Sequence, residues 1–563
     1  MKKYRKLFIT LLSVAFMMAA CELDYVPYDA IEEDEVFTSE SGLQTATYGN
    51  YAYLKGQGVD DNYSWYNNWH RLCEYPGDNV SLSGTTTDPL FYTYNYKNSE
   101  TSYRVRETWR ASYKVIVSCN KIIENAEEGV TPEMDQLIGE NYYLRGLLYF
   151  QLVNLFGRPY DQGAGNLGVP IKLDSDKENL PARNTVGEVY EQVLDDLDKA
   201  STLMTWESSK GNVYASKGAA LAMLARVNLY MGNNIDAIDF ATDVITDGPY
   251  QLLSTQDFPK YPTFAPENNS ETIFALKSLK DKDYTHGWYS VGAMYAHVEG
   301  TGWGEMYASK PYLDLVNQHP EDVRSEFISP QYDLNDEGEK EYWATYVDDA
   351  YQYVMIDIEW DDTASQWAYD DDGTTVYVDE ETGTGGETLY SVDVEGTKTY
   401  VEIMPRMYDR RGYPKWYITK CSGQEGQAQL WSPVISRLAE MYLIRAEANA
   451  KENNDQLALD DINVIRSRAG LSGDALYTLT NIPAGKTVFD LVMEERQLEL
   501  AWEGHRKFDV FRNGLTMDRR YPGTHTLGND PILVITPDHP RVIEFIPESE
   551  ILAQPNLEQN PVN

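Results

Sequence analysis

Residues 215–232, ASKGAALAMLARVNLYMG, run directly into residues 233–250, NNIDAIDFATDVITDGPY. Leu224, Ala225, Gly232, Ala237 and Pro249 fall at the spacing of a tetratricopeptide unit, two antiparallel helices that meet through small side chains. Ala225 and Ala237 stand twelve apart, where larger residues would hold the two backbones away from each other. The same spacing returns at Ala446 and Ala458 within RLAEMYLIRAEANAKENNDQLALDDINVIRSRAGL (437–471). Two such units about 200 residues apart imply a mainly α-helical chain whose repeats are split by long insertions.

Helical periodicity extends outward from these units. In 103–127, Trp109, Tyr113, Ile116 and Cys119 recur at three- or four-residue steps. Residues 132–156 continue the pattern, with Gly157 placed to stop it. In 185–204, Val189, Val193 and Leu197 form one stripe behind Thr185, a natural N-cap. A last helix is expected over about 487–503, stopped by Gly504, with Leu498, Ala501 and Trp502 facing inward. The stretches between, 56–100, 158–183 and 250–430, are rich in Gly, Pro, Asp, Tyr and Trp and read as long loops, which in compact domains are usually functional. Within them, TVYVD near residue 375 alternates as a small β-hairpin does.

The N-terminus, MKKYRKLFITLLSVAFMMAAC, joins four cations to an apolar run from Leu7 to Met18 and then Ala19, Ala20 and Cys21. The run is shorter than the roughly 20 residues a transmembrane helix needs. It reads as a leader, residues 1–20, ending at a lipobox, with Cys21 as the acylated residue and the membrane reached through lipid alone. Glu22 and Asp24 follow directly, a placement similar to the surface-export signal of Bacteroidetes lipoproteins. Cys73, Cys119 and Cys421 are odd in number and form no C-x-x-C pair, so neither a disulfide framework nor a thiolate zinc site is expected.

A formal net charge of −42 repels nucleic acid and anionic lipid and excludes a nucleic-acid function. The 43 Tyr and 12 Trp against 15 Phe point elsewhere, because Tyr and Trp combine an apolar face with a polar tip and suit wet recognition surfaces. They concentrate in two loop stretches. Residues 59–96 hold Trp65, Tyr66, Trp69, Asp78, Asn79, Tyr92 and Tyr94; residues 284–307 hold Trp288, Tyr289 and Trp303. Aromatic faces with planar polar groups are what a neutral oligosaccharide requires, so these ten are the candidate ligand-binding residues. Trp65 and Trp69 are also four apart, the spacing of one face of a short inward-packed helix.

No H-E-x-x-H, P-loop or nucleophile-elbow pattern occurs, seven histidines leave little for metal or triad chemistry, and no enzyme activity is expected. Asp370–Asp372 lacks the EF-hand spacing; it reads as a solvated acidic loop, a structural Ca2+ is unsupported, and no cofactor or metal is expected. In EERQLELAWEGHRKFDVFRNG (494–514) the charges alternate in sign, which favours mutual pairing over a catalytic centre and makes His505 structural.

Taken together, WRASYKVIVSCNKII (109–123), NYYLRGLLYFQLVNLFGRPY (141–160), GVPIKL (168–173), ARNTVGEVYEQVLDDLDKA (182–200), RLAEMYLIRAEA (437–448), DINVIRSRAGL (461–471), residues 494–514 and FIPESEILAQPNLEQNP (545–561) resemble, in order, the SusD/RagB family of nutrient-binding outer-membrane lipoproteins. The resemblance implies one SusD-like domain over 21–563. Split tetratricopeptide helix pairs (about 40–55, 103–250 and 431–503) would form a right-handed superhelix, with ligand-side loops at about 56–100 and 250–430. It also implies a noncatalytic role at the outer face of the outer membrane, capturing oligosaccharides for a SusC-like TonB-dependent transporter, or peptides as in the RagB branch. Asp78 matches a recurrent acidic position of the family; the aromatics match by region only. The acidic segment 331–400 departs from the pattern and leaves the substrate open.

Overall fold

The structure is a computed structural model that describes residues 33–56, 64–84, 90–206, 210–280, 283, 287–528 and 530–561. Residues 1–20 and Cys21, assigned above to the leader and the anchor, lie outside the described residues.

The helices begin where the sequence supplies caps. Ser39 caps α1 (Glu40–Leu54), and Thr131 with Pro132 opens the long α4 (Pro132–Phe156), preceded by α2 (Trp65–Glu74) and α3 (Tyr103–Asn125). In α5 (Val186–Leu203), Thr185 and Glu188 form a capping box, as Thr487 and Asp490 do for α10 (Val488–Glu499). The first repeat unit is α6 (Lys217–Met231) and α7 (Asn234–Asp247), joined through Gly232 at φ +79°. The second is α8 (Leu438–Lys451) and α9 (Asp455–Arg468). Ala225, Ala237, Ala446 and Ala458 are all fully buried, so both pairs close through their small residues as the spacing requires.

Helices α3 to α10 stack in sequence, and α7 packs directly on α8 although nearly 190 residues separate them. The intervening chain leaves the array and returns to it through an antiparallel pair, Thr272–Ala275 with Val434–Arg437. The insertion is thus a loop closed at its base, and the helical array is continuous in space.

Two boundaries differ from expectation. Gly157 follows α4 in an extended conformation, φ −109°, not the left-handed one of a glycine stop. Helix α10 ends at Glu499, short of residue 503, and α11 (Arg506–Arg512) follows. The carboxylate of Glu74 accepts the backbone N–H groups of Trp502 and Gly504 at 3.1 and 2.8 Å, taking donors that a longer helix would use internally. Trp502 is consequently held at φ +63°, a costly conformation for a large residue, and its complete burial keeps it there.

The acidic segment contains more than a hairpin. It is a seven-stranded antiparallel sheet of β1 (Tyr342–Val347), β2 (Tyr353–Asp361), β3 (Gln366–Asp371), β4 (Thr374–Tyr377), β5 (Asp379–Thr382), β6 (Thr388–Val394) and β7 (Thr397–Pro405). Their order is β4-β3-β2-β1-β7-β6-β5. Only Val378 separates the two edge strands β4 and β5 along the chain, so the sheet must curl until its edges nearly meet. Ala344, Ile358, Val378, Val392 and Val401 fill the interior so formed. The TVYVD hairpin is the β3–β4 turn, with Asp370 accepting from Gly373 N at 2.9 Å.

Candidate functional site

The aromatic stretch 287–304 is tightly folded. A turn at Gly287–Tyr289 and a one-turn helix at Gly292–Tyr295 lead to a bridge between Val298 and Thr301. Four residues there take positive φ: Glu299, Gly300, Gly302 and Gly304. Gly302 is required, since a Cβ at that position would stand 2.3 Å from the Ala296 carbonyl oxygen. Gln429, fully buried, donates to the Ala296 and Thr301 carbonyls at 2.8 and 3.0 Å and accepts from Ser422 at 2.9 Å, clamping the loop from below.

The result is an exposed platform. Trp288, Tyr289 and Trp303 are 42%, 48% and 52% exposed. The two indoles meet edge to face, centroids 5.0 Å apart at 69°, and Trp303 Nε1 donates to the Trp288 carbonyl at 2.9 Å. These contacts fix both rings while leaving apolar faces open to solvent. His297, also exposed, lies 6.1 Å from Trp288 and bonds through Nδ1 to the Gly302 carbonyl at 2.6 Å.

The first aromatic stretch supports this platform from beneath. Asn67 donates to the Tyr289 carbonyl at 3.0 Å, His70 bonds to the Tyr295 hydroxyl at 2.8 Å, and Val80–Leu82 pairs with Met306–Ala308. Burial lowers the His70 pKa to about 3, so this support is a neutral imidazole.

Burial therefore removes most of the candidates in 59–96 from any ligand-facing set. Trp65 and Trp69 stack at 5.7 Å as one inward face of α2, their indole N–H groups satisfied by Ser112 and Gln151 at 2.9 and 2.7 Å. Tyr66 is fully buried, and Tyr94 is buried with its hydroxyl 2.7 Å from His525 Nδ1. Asn79 is buried against Gln497. Asp78 is nearly buried in a bidentate pair with Arg506, 2.6 and 2.8 Å. Tyr92 is exposed but stands in the helix Leu90–Tyr94, with Phe91 as its ring neighbour, and does not join the Trp288–Trp303 pair. His297 and Gln429 carry no sequence signal of their own; the closely spaced glycines of VEGTGWG (298–304) mark the turn that these two residues hold.

The charged stretch 494–514 lies in the interior. Arg437 pairs with Glu271, Glu499 and Glu503, and Arg324 with Asp322 and Glu495. Arg496 pairs with Asp509, and Arg512 with Glu447 and Asp509. Burial alone would raise the Glu503 carboxyl, but Arg437 and Lys420 outweigh it and hold the group at about 2. Burial pushes His505 down to about 4. All these partners are spent on one another, which makes the stretch a structural lock between α8, α10 and α11. Among the described residues no group of three or more His, Cys, Asp or Glu is placed to hold a metal, and no helix is long and apolar enough to cross a membrane. Cys73, Cys119 and Cys421 are free and buried.

Comparison with known proteins agrees with this architecture. A family model described as the SusD family matches residues 270–562, and one described as "Starch-binding associating with outer membrane" matches 30–229. Two SusD-like proteins of Formosa agariphila are similar over most of their length. One is 24% identical over 525 residues, 89% of each chain, and the other 23% over 558 residues, 92% of this chain and 96% of that one. A SusD superfamily protein of Bacteroides thetaiotaomicron superposes with a TM-score of 0.70 at 27% identity, covering 93% of this chain and 100% of its own. A SusD-like carbohydrate-binding protein of Bacteroides vulgatus shares the fold with a TM-score of 0.64 at 19% identity, covering 92% and 98%. With a family model matched over more than half of its length and the same fold throughout, the chain belongs to the SusD family, whose members are binding proteins and not enzymes.

Proposed function

We propose that this protein is a lipid-anchored outer-membrane lipoprotein, facing outward, that captures oligosaccharides and passes them to a SusC-like TonB-dependent transporter. The observation that carries the reading is the exposed Trp288–Tyr289–Trp303 platform, rigidly mounted on a helical body. Sugar C–H faces stack on such rings, and the carbonyls and side chains around them meet the hydroxyls. The one family description that names starch and the outer membrane, and the carbohydrate-binding relative of Bacteroides vulgatus, support ligand class and location. In this reading Cys21 supplies the anchor, and membership of the SusD family supports a SusC-like partner.

Calorimetry of the chain from residue 22 onward, against neutral oligosaccharides and a peptide digest, tests this. Glycan binding that falls about tenfold in Trp303→Ala, a loss of ~1.4 kcal/mol, is the expected result. Binding of peptides alone would replace it with the RagB-like reading.

A further inference from the structure

A cleft of about 870 Å³ separates the curled sheet from the helical body. One wall is the sheet, from β1, β2, β6 and β7; the other is the helix Lys310–Val316 and the strand Trp416–Ile418. Tyr346, Tyr390 and Tyr400 on the sheet side and Trp416 on the body side line it. At its charged end Lys310 Nζ stands 2.7 Å from Asp314 and 3.6 Å from Glu402. The volume falls within the roughly 300–1,000 Å³ of small-molecule sites, and the lining repeats their chemistry, aromatic faces with a few convergent polar groups.

We propose that this cleft is a second carbohydrate site, taking a stretch of a neutral glycan chain. Two carboxylates against one ammonium disfavour an anionic sugar, as does the net charge of −42. A peptide added to an edge strand has no place there: the open edges of the sheet, β4 and β5, lie outside the lining, which comes from β2, β1, β7 and β6.

The cleft and the platform are backed by one strand. A methyl group at Gly304, next to Trp303, would stand 2.9 Å from the Tyr417 ring, while the adjacent Trp416 lines the cleft. Neighbouring residues of a strand point to opposite sides, so the two sites lie back to back across a thin partition. A polysaccharide long enough to engage both gains avidity that a short oligosaccharide cannot.

The inference rests on the carbohydrate reading above, and the two can fail separately. Native affinity gels containing soluble starch, glucomannan, arabinoxylan or mixed-linkage β-glucan are run with the parent chain, W288A/W303A, Y390A/Y400A and the quadruple variant. On the polysaccharide that retards the parent, Y390A/Y400A is expected to weaken retardation about tenfold. W288A/W303A should keep a residue of binding that the quadruple variant loses. Tyr400 is exposed, so Tyr400→Ala alone repeats the test without disturbing the fold, and Tyr400→Phe should bind as the parent does. A parent that is retarded and a Y390A/Y400A or Tyr400→Ala variant that matches it would remove the second site alone. A parent that none of the four retards would remove the carbohydrate reading and this site with it.

Discussion

At the residue scale, the same side-chain type serves two ends according to where the backbone carries it. Trp65 and Trp303 are both aromatic residues of loop-like sequence, yet one is fully buried with its indole N–H on Ser112, and the other is half exposed. Trp65→Ala is expected to lower stability by ~3–5 kcal/mol in urea denaturation, because it opens a cavity in a packed core. Any ligand affinity of the folded fraction should survive that change. Trp303→Ala should move stability by no more than ~0.5 kcal/mol and act on binding instead. Equal loss of stability in both variants would show that the platform is part of the core.

At the element scale, the curled sheet is separable from the helical array. Its entry and exit lie side by side: Tyr332 bridges Met407, and Asp333 N donates to the Arg406 carbonyl at 3.0 Å. It also has its own apolar interior. Replacing residues 334–405 by a short Gly-Ser linker should therefore leave the helical circular-dichroism signal and one cooperative melt for the remaining body. A shortened chain that loses its cooperative transition would show that the sheet is structural for the whole. If the body melts as expected, the same variant also removes the sheet wall of the cleft, and with it the second binding contribution.

At the scale of the whole molecule, α8, α10 and α11 are joined by buried ion pairs whose energetics are one-sided. Arg437→Met would take one guanidinium from Glu271, Glu499 and Glu503, leaving Arg468, Arg324 and Lys420 to face three buried carboxylates. A cost of ~3 kcal/mol in urea denaturation, the low end for a broken buried pair, is expected. The buried titratable groups also set a pH dependence. His70 and His505 are held neutral, at about 3 and about 4 against an ordinary 6.5. The unfolded chain takes up protons at these sites first, so their contribution is complete above about 6.5 and is lost as pH falls through 4 and then 3. Glu503, at about 2, contributes above the ordinary carboxyl value and is lost only as pH falls through 2. Glu74 acts oppositely: burial pushes it up to about 7, so its contribution is present below about 4.5 and fades as pH rises towards 7. Burial also raises the Glu140, Asp196 and Glu544 carboxyls and lowers His525, so the two histidines are read by difference. The melting temperature of the parent minus that of H70Q/H505Q should rise from pH 4 to 6.5. A flat profile over that interval would contradict the neutral, buried assignment of His70 and His505.

What the sequence determined by itself was what repeats locally. The caps at Thr185 and the small residues at Ala225, Ala237, Ala446 and Ala458 place helices and pair them, since capping and close approach act within a few dozen residues. The charge alternation of 494–514 indicated mutual pairing. The tertiary structure alone decided which aromatics face water. Tyr66 and Tyr94 look from sequence like Trp288 and Trp303, with the four-residue spacing of Trp65 and Trp69 as the one local sign of burial, and the packing of α2 and of the helix Leu90–Tyr94 separates the two groups. It also decided that the partners of Arg437 come from Glu271 and Glu503, far off in sequence, and that the edge strands of the inserted sheet meet around Val378. Burial and strand order are properties of contacts distant along the chain, and no periodicity in a single sequence records them.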